Sequence, residues 1–134
     1  KKAVEHVRRR LLAAGVEAER FTLICGSHEK IAEHAAPGVG AAVYNLGYLP
    51  GGDRTVVTER ATTIRSIGAS LNLLRREGVV TVTLYYGHEG GRTEAGGVLE
   101  YAAALDFRRF KVLHLSYPNL PNDPPSLLVI QKRE

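Results

Sequence analysis

Helical and strand patterns alternate along this chain almost from end to end, and no other feature constrains its fold as tightly. In residues 1–14, Ala3, Val4, Val7, Leu11 and Leu12 recur at helical spacing. Lys1, Arg8, Arg9 and Arg10 form the opposite, solvated face, and Gly15 is a stop signal. The run 21–25 is short, apolar and rich in β-formers, which predicts a buried strand ended by Gly26. Ser27 is placed to cap a short helix over 28–35, which Pro37-Gly38 breaks. Small apolar residues predict a second strand over 40–45, followed by a Gly/Pro-rich loop over 46–60. Ile64, Ile67, Leu71 and Leu74 mark one face of a helix over 61–76. Gly78 is expected to close that helix, with Arg75 and Arg76 complementing its dipole. Residues 79–85 are the strongest strand pattern. A helix over 93–105 follows through Val98, Tyr101, Ala102 and Leu105, then strands over 110–116 and 126–131.

Repeated αβ units predict parallel strands joined by helical crossovers. The last two strands are separated only by residues 117–125, which hold four prolines and two asparagines. That loop is too short for a parallel crossover, so the two are expected to be antiparallel. A chain of 134 residues with 44% hydrophobic content fits one domain with a real core. No apolar run approaches the roughly 18 residues of a membrane-spanning helix.

A single cysteine, Cys25, excludes an internal disulfide and a multi-cysteine zinc site. Its apolar surroundings predict a buried small hydrophobe. The five histidines show no ligand spacing, and His88-Glu89 is not a zinc motif because Arg92 stands where the second histidine would be. No metal is expected. The net charge of +4 and pI of about 9.4 are compatible with a polyanionic partner. Thirteen of the 18 cations are arginine, which suits forked contacts with phosphate.

Open α/β sheets bind ligands beyond the carboxyl ends of their strands. The unusual polar and aromatic residues of this chain converge on that edge: Gly26-Ser27-His28, then 45–53, then Tyr86-Gly87-His88, then Asn122-Asp123-Pro124-Pro125. Asn45 ends an otherwise apolar strand. Its carboxamide oxygen can accept an N–H bond from an amine, or it can simply cap the strand end. Tyr48 can stack on a planar ring. Three glycines between Asn45 and Asp53 let backbone approach a ligand closely, or serve turns. His28 and His88 can each contact a ligand or stand as exposed loop residues, and Ser27 and Ser126 have no partner visible in the sequence.

The stretch Tyr44-Asn45-Leu46-Gly47-Tyr48-Leu49-Pro50-Gly51-Gly52-Asp53 resembles the signature of a small family of class I S-adenosylmethionine-dependent methyltransferases. That family was long labelled rRNA methylase and is assigned to the 5-aminomethyl group of the wobble (thio)uridine of tRNA. Gly26-Ser27-His28-Glu29, Thr62-Thr63-Ile64, Tyr85-Tyr86-Gly87-His88-Glu89-Gly90 and Asn122-Asp123-Pro124-Pro125 continue the resemblance in the family's order. It implies a Rossmann-like α/β sheet with an antiparallel C-terminal strand. The family opens with a βαβ unit, at least ~30 residues long, that holds the methionine and ribose parts of the cofactor, and no counterpart is seen here. With no methionine in the chain, residues 1–134 are expected to be the C-terminal portion of a single methyltransferase domain, and to bind cofactor weakly alone.

The resemblance further implies that Gly26, Ser27 and His28 border the adenine of S-adenosylmethionine. Asn45, Leu46 and Gly47 would lie near the methyl donor, where related enzymes carry an Asn-Pro-Pro-Tyr-like motif; Leu46 and Gly47 replace its prolines. Tyr48, Asp53, Tyr86, His88 and Asn122 would surround the uridine. The implied reaction is direct attack of a neutral amine on the sulfonium methyl, with Asn45 orienting the amine and Asp53, His88 or water taking its proton. The implied partner is the tRNA anticodon loop, in a cytoplasmic enzyme off the membrane that can be a homodimer. Methylation of rRNA or a small amine on the same fold, or a non-catalytic RNA-binding module, are the other readings.

Overall fold

The computed structural model describes residues 2–46, 60–87 and 90–134. Helix α1 spans Lys2–Ala13 and stops at Gly15, whose φ of 78° lies in the left-handed region that glycine tolerates. Two 3₁₀ turns, Ala18–Arg20 and His28–Glu33, lead to strand β1, Val39–Asn45. Helix α2, Arg60–Leu73, runs directly into strand β2, Leu74–Leu84. Helix α3, Gly91–Ala103, precedes strands β3, Phe110–Leu115, and β4, Ser126–Lys132.

The strands form one mixed sheet in the order β1-β2-β4-β3. β1 and β2 are parallel, and β4 runs antiparallel to both β2 and β3. The last strand in sequence is therefore inserted between the two before it. This is an α/β fold with an antiparallel C-terminal strand, as expected. The carboxyl ends of β1, β2 and β3 and the amino end of β4 share one sheet edge, because Asn45 pairs with Thr83, Leu84 with Ser126 and Leu115 with Leu127.

Alternation sets the two faces of the sheet. Val80, Val82 and Leu84 of β2 and Leu128 and Ile130 of β4 are buried, and they form one core with Ile67 and Leu71 of α2 and Val98 and Ala102 of α3. The opposite face shows Val43, Leu113 and Leu115, each at least half exposed. Among the described residues no helix is long and apolar enough to cross a membrane.

Several local expectations are corrected. Residues 21–25 are not a strand, although Phe21 is extended (φ −143°, ψ 149°). A strand needs a neighbour to pair its N–H and C=O groups, and the described sheet holds only β1 to β4. Cys25, in the same run, is accordingly exposed rather than buried. The helix expected over 28–35 is a pair of 3₁₀ turns kinked at Lys30, and Ser27 makes no side-chain cap. The Ser27 backbone carbonyl instead accepts the Lys30 N–H at 3.2 Å, closing a tight turn. Helix α2 stops at Leu73, whose carbonyl accepts the Gly38 N–H at 2.9 Å, and Leu74 already pairs with Val39. Arg75 and Arg76 thus lie in β2, not in the last helical turn. Gly78 does not cap the helix. It sits where a Cβ would meet the carbonyl oxygens of Arg75, Val39 and Gly40 at 2.9, 3.0 and 3.2 Å.

Candidate functional site

Two groups of polar side chains gather near the carboxyl edge of the sheet. The first begins with Tyr44, the penultimate residue of β1, which points into the core at 8% exposure. Its phenol oxygen lies 2.8 Å from Ser66 Oγ and 2.7 Å from Ser70 Oγ, both buried on α2. Ser66 Oγ donates to the backbone carbonyl of His28 at 2.7 Å. That bond uses the only Ser66 proton, so Tyr44 must donate to Ser66, and Ser70 must donate to Tyr44. One proton order satisfies the whole chain, and it ties β1 and α2 to the turn that carries His28.

The His28 ring stands edge-on to Tyr44, and its Nε2 is buried with no hydrogen-bond partner. A buried polar atom left unpaired is costly, and the His28 ring nitrogen is such an atom. A cavity of about 480 Å³ opens beside it, walled by Ile31, Ala35, Ala42 and Tyr44 and reaching Asn45 and Leu46 at the strand end. Such a mostly apolar cleft with a few polar groups suits a flat heteroaromatic ring.

The structure thus brings together His28, Asn45 and Leu46 of the expected cofactor residues. Asn45 is exposed as the last residue of β1, whereas Leu46 is 6% exposed and belongs to the core. Gly26 and Ser27 are exposed just before the 3₁₀ turn and are not among the residues lining the cavity. Gly47, Tyr48, Asp53 and His88 lie outside the described residues.

The second group joins three strands. Tyr86, just beyond β2, has its phenol oxygen 2.6 Å from Ser126 Oγ, and His114 Nε2 of β3 is 2.8 Å from the same oxygen. Tyr86 was expected in the site; Ser126 and His114 were not. Asn122 is exposed in the loop between β3 and β4, where it and Asp123 adopt left-handed φ values of 64° and 46°. Asp123 forms an ion pair with Arg92 in the first turn of α3, pinning this loop to the helix.

Other side chains that sequence reasoning missed are structural. Thr63 donates to the buried Glu94 at 2.7 Å, joining α2 to α3. Burial raises the Tyr101 phenol above its ordinary pKa. Tyr44, Ser66 and Ser70 carry a faint signal: the two serines lie one helical turn apart on the apolar face of α2. Among the described residues no three His, Cys, Asp or Glu side chains cluster to hold a metal ion.

The family model described as Putative rRNA methylase matches residues 1–131 of this chain. A curated relative, the chloroplastic tRNA (mnm(5)s(2)U34)-methyltransferase of Arabidopsis thaliana, is 32% identical over 96 residues, 72% of this chain. The chain spans only 35% of that relative's length. The crystal structure of a putative rRNA-methylase from Clostridium thermocellum superimposes with a TM-score of 0.94 at 34% identity, over 98% of this chain and 70% of that one. A putative methyltransferase from Streptococcus mutans, solved in complex with SAH, gives a TM-score of 0.89 at 32% identity, over 98% of this chain and 71% of that one.

Proposed function

Because this chain belongs to the family described as Putative rRNA methylase, we propose that the whole protein is an S-adenosylmethionine-dependent methyltransferase acting on the aminomethyl nitrogen of wobble uridine in tRNA. The observation that carries the reading is the orphaned His28 Nε2 beside an apolar cleft that ends at Asn45. The Arabidopsis relative is named for methylating that nucleotide position, and the Streptococcus mutans neighbour holds the demethylated cofactor, which supports both substrate and cofactor.

The residues present fit the cofactor's adenine. His28 Nε2 offers a hydrogen bond to a heteroaromatic edge, and Ile31, Ala35 and Ala42 exclude water from its faces. When bound, the cofactor supplies an electrophilic methyl group on a sulfonium. The remaining work falls to positioning, which can supply several kcal/mol of barrier lowering, about 7–11 in well-oriented systems. Asn45, exposed at the strand end, accepts an N–H bond from the substrate amine and aims its lone pair. The resemblance implies Asp53, His88 or water as the proton acceptor, and exposed arginines such as Arg8, Arg9 and Arg10 can meet anticodon-loop phosphates.

The test is methyl transfer by the whole protein to two RNAs in parallel: tRNA carrying 5-aminomethyluridine, and rRNA. Transfer to the tRNA alone is expected. Transfer to rRNA with the tRNA untouched would overturn the substrate assignment and leave the fold and cofactor in place.

A further inference from the structure

The sheet face from which Asn45 projects carries a cavity of its own. Asn45 pairs with Thr83, Thr83 with Leu127 and Leu127 with Leu115, so these four residues form one line across all four strands. Opposed residues in a sheet share a face. Tyr44, Leu84 and Leu128, their neighbours in sequence, are buried in the core, which puts the line on the opposite, open face. A cavity of about 360 Å³ lies along it, walled by Thr83, Leu127 and Leu115 together with Tyr117 and Pro125. We propose that this cavity is a stacking subsite for one nucleobase of the RNA substrate, a base flanking the methylated nucleoside, with Tyr117 as the platform. That role rests on the amine-methylation reading above, in which Asn45 meets the substrate amine.

The chemistry of the walls selects the occupant. Tyr117 is 61% exposed, and Tyr85, which follows the buried Leu84, is 37% exposed. A tyrosine ring covers a flat apolar partner while its hydroxyl stays wet, and stacking of this kind accepts any base. Among the described residues, none that lines the cavity is charged. The walls therefore suit an uncharged base and not a phosphate. Phosphates find their partners elsewhere on a chain of net charge +4 with thirteen arginines. Single-stranded RNA brings both groups at once, a splayed base and a charged backbone.

Distance selects which base. Leu115, two residues before Tyr117, stands three strands away from Asn45, roughly 14 Å at the usual strand spacing. One nucleoside cannot rest on Tyr117 and also place its aminomethyl group at Asn45, whereas the next nucleotide along the strand can reach the platform. The platform is held in advance. The Tyr117 carbonyl accepts the Leu120 N–H at 3.3 Å, and the Asp123–Arg92 ion pair ties the same loop to α3. A contact surface that is already ordered loses little entropy on binding.

Fluorescence tests the subsite on the whole protein. The probe is an anticodon stem-loop RNA in which 2-aminopurine replaces each base flanking the wobble uridine, one position at a time. Quenching on binding is expected at one flank, with its loss in Tyr117→Ala and its retention in Tyr117→Trp. Tyr117→Ala should also weaken RNA binding and raise KM for RNA, each roughly tenfold, while kcat at saturating RNA and cofactor affinity stay within about twofold of wild type. No quenching at either flank, or an RNA affinity that Tyr117→Ala leaves unchanged, overturns the subsite. A dimer that Tyr117→Ala splits in the ultracentrifuge, or a melting temperature that falls in step with binding, makes the patch a contact between protein surfaces and overturns it as well. A wild-type protein that binds and quenches the RNA yet leaves the wobble amine unmethylated fails the functional reading and keeps the subsite.

Discussion

His28 meets Tyr44 edge to face, ring centroids 6.3 Å apart and planes at 87°, and this contact holds the His28 Nε2 away from solvent with nothing to bond. A buried ring nitrogen left without a partner costs stability.

The contact predicts opposite signs for folding and binding. His28→Phe keeps the ring against Tyr44 and removes the orphaned nitrogen, so the whole protein should be as stable as wild type or slightly more so. Cofactor affinity should fall roughly tenfold, about 1.4 kcal/mol. Denaturation and calorimetry on the same preparation check both halves.

Ser66 links Tyr44 to the His28 carbonyl through one proton order. Ser66→Ala leaves a buried phenol donor and a carbonyl without their partner, at a cost of about 1–3 kcal/mol. Tyr44→Phe removes part of the same chain, so the double variant should lose less than the sum of the two singles. Urea unfolding of the four proteins measures the coupling.

Asn45 is exposed, so Asn45→Ala should leave the melting temperature close to wild type. If its oxygen orients the amine, kcat should drop roughly a hundredfold, the scale of losing one preorganised polar contact. Equal loss of stability and turnover would make Asn45 a strand-end cap.

Gly78→Ala tests the fold at a point distant from the chemistry. A Cβ there would meet three backbone oxygens at 2.9–3.2 Å, which cannot all give way. A loss of about 1–3 kcal/mol is expected, read as an earlier midpoint in urea.

What the sequence made legible was the local pattern. The strand expected over 79–85 falls within β2, Leu74–Leu84, and the spacing of Ile67 and Leu71 identified α2. The strand expected over 21–25 failed because a strand is defined by its neighbour, and propensity says nothing about whether one is there. The insertion of β4 between β2 and β3 was also out of reach, since the same alternating run fits an edge or a central position. Leu128 and Ile130 are fully buried because of that placement. The site was half legible. His28, Asn45 and Leu46 stood out as residues after strands or at turns, and they do share a cavity. Ser126 and His114 looked inert because their partners are distant: Tyr86 meets Ser126 across a separation of 40 residues. His114 did carry a hint, being a polar residue in phase with Phe110 and Val112.

The central claim is that this family member methylates the aminomethyl nitrogen of wobble uridine. Nucleoside mass spectrometry tests it most directly, on tRNA bearing 5-aminomethyluridine incubated with the whole protein and isotopically labelled S-adenosylmethionine. The account predicts that the labelled methyl appears on the side-chain nitrogen of the wobble nucleoside. A labelled methyl on a ring atom, on a ribose oxygen or in another RNA, with the wobble amine unchanged, would contradict it.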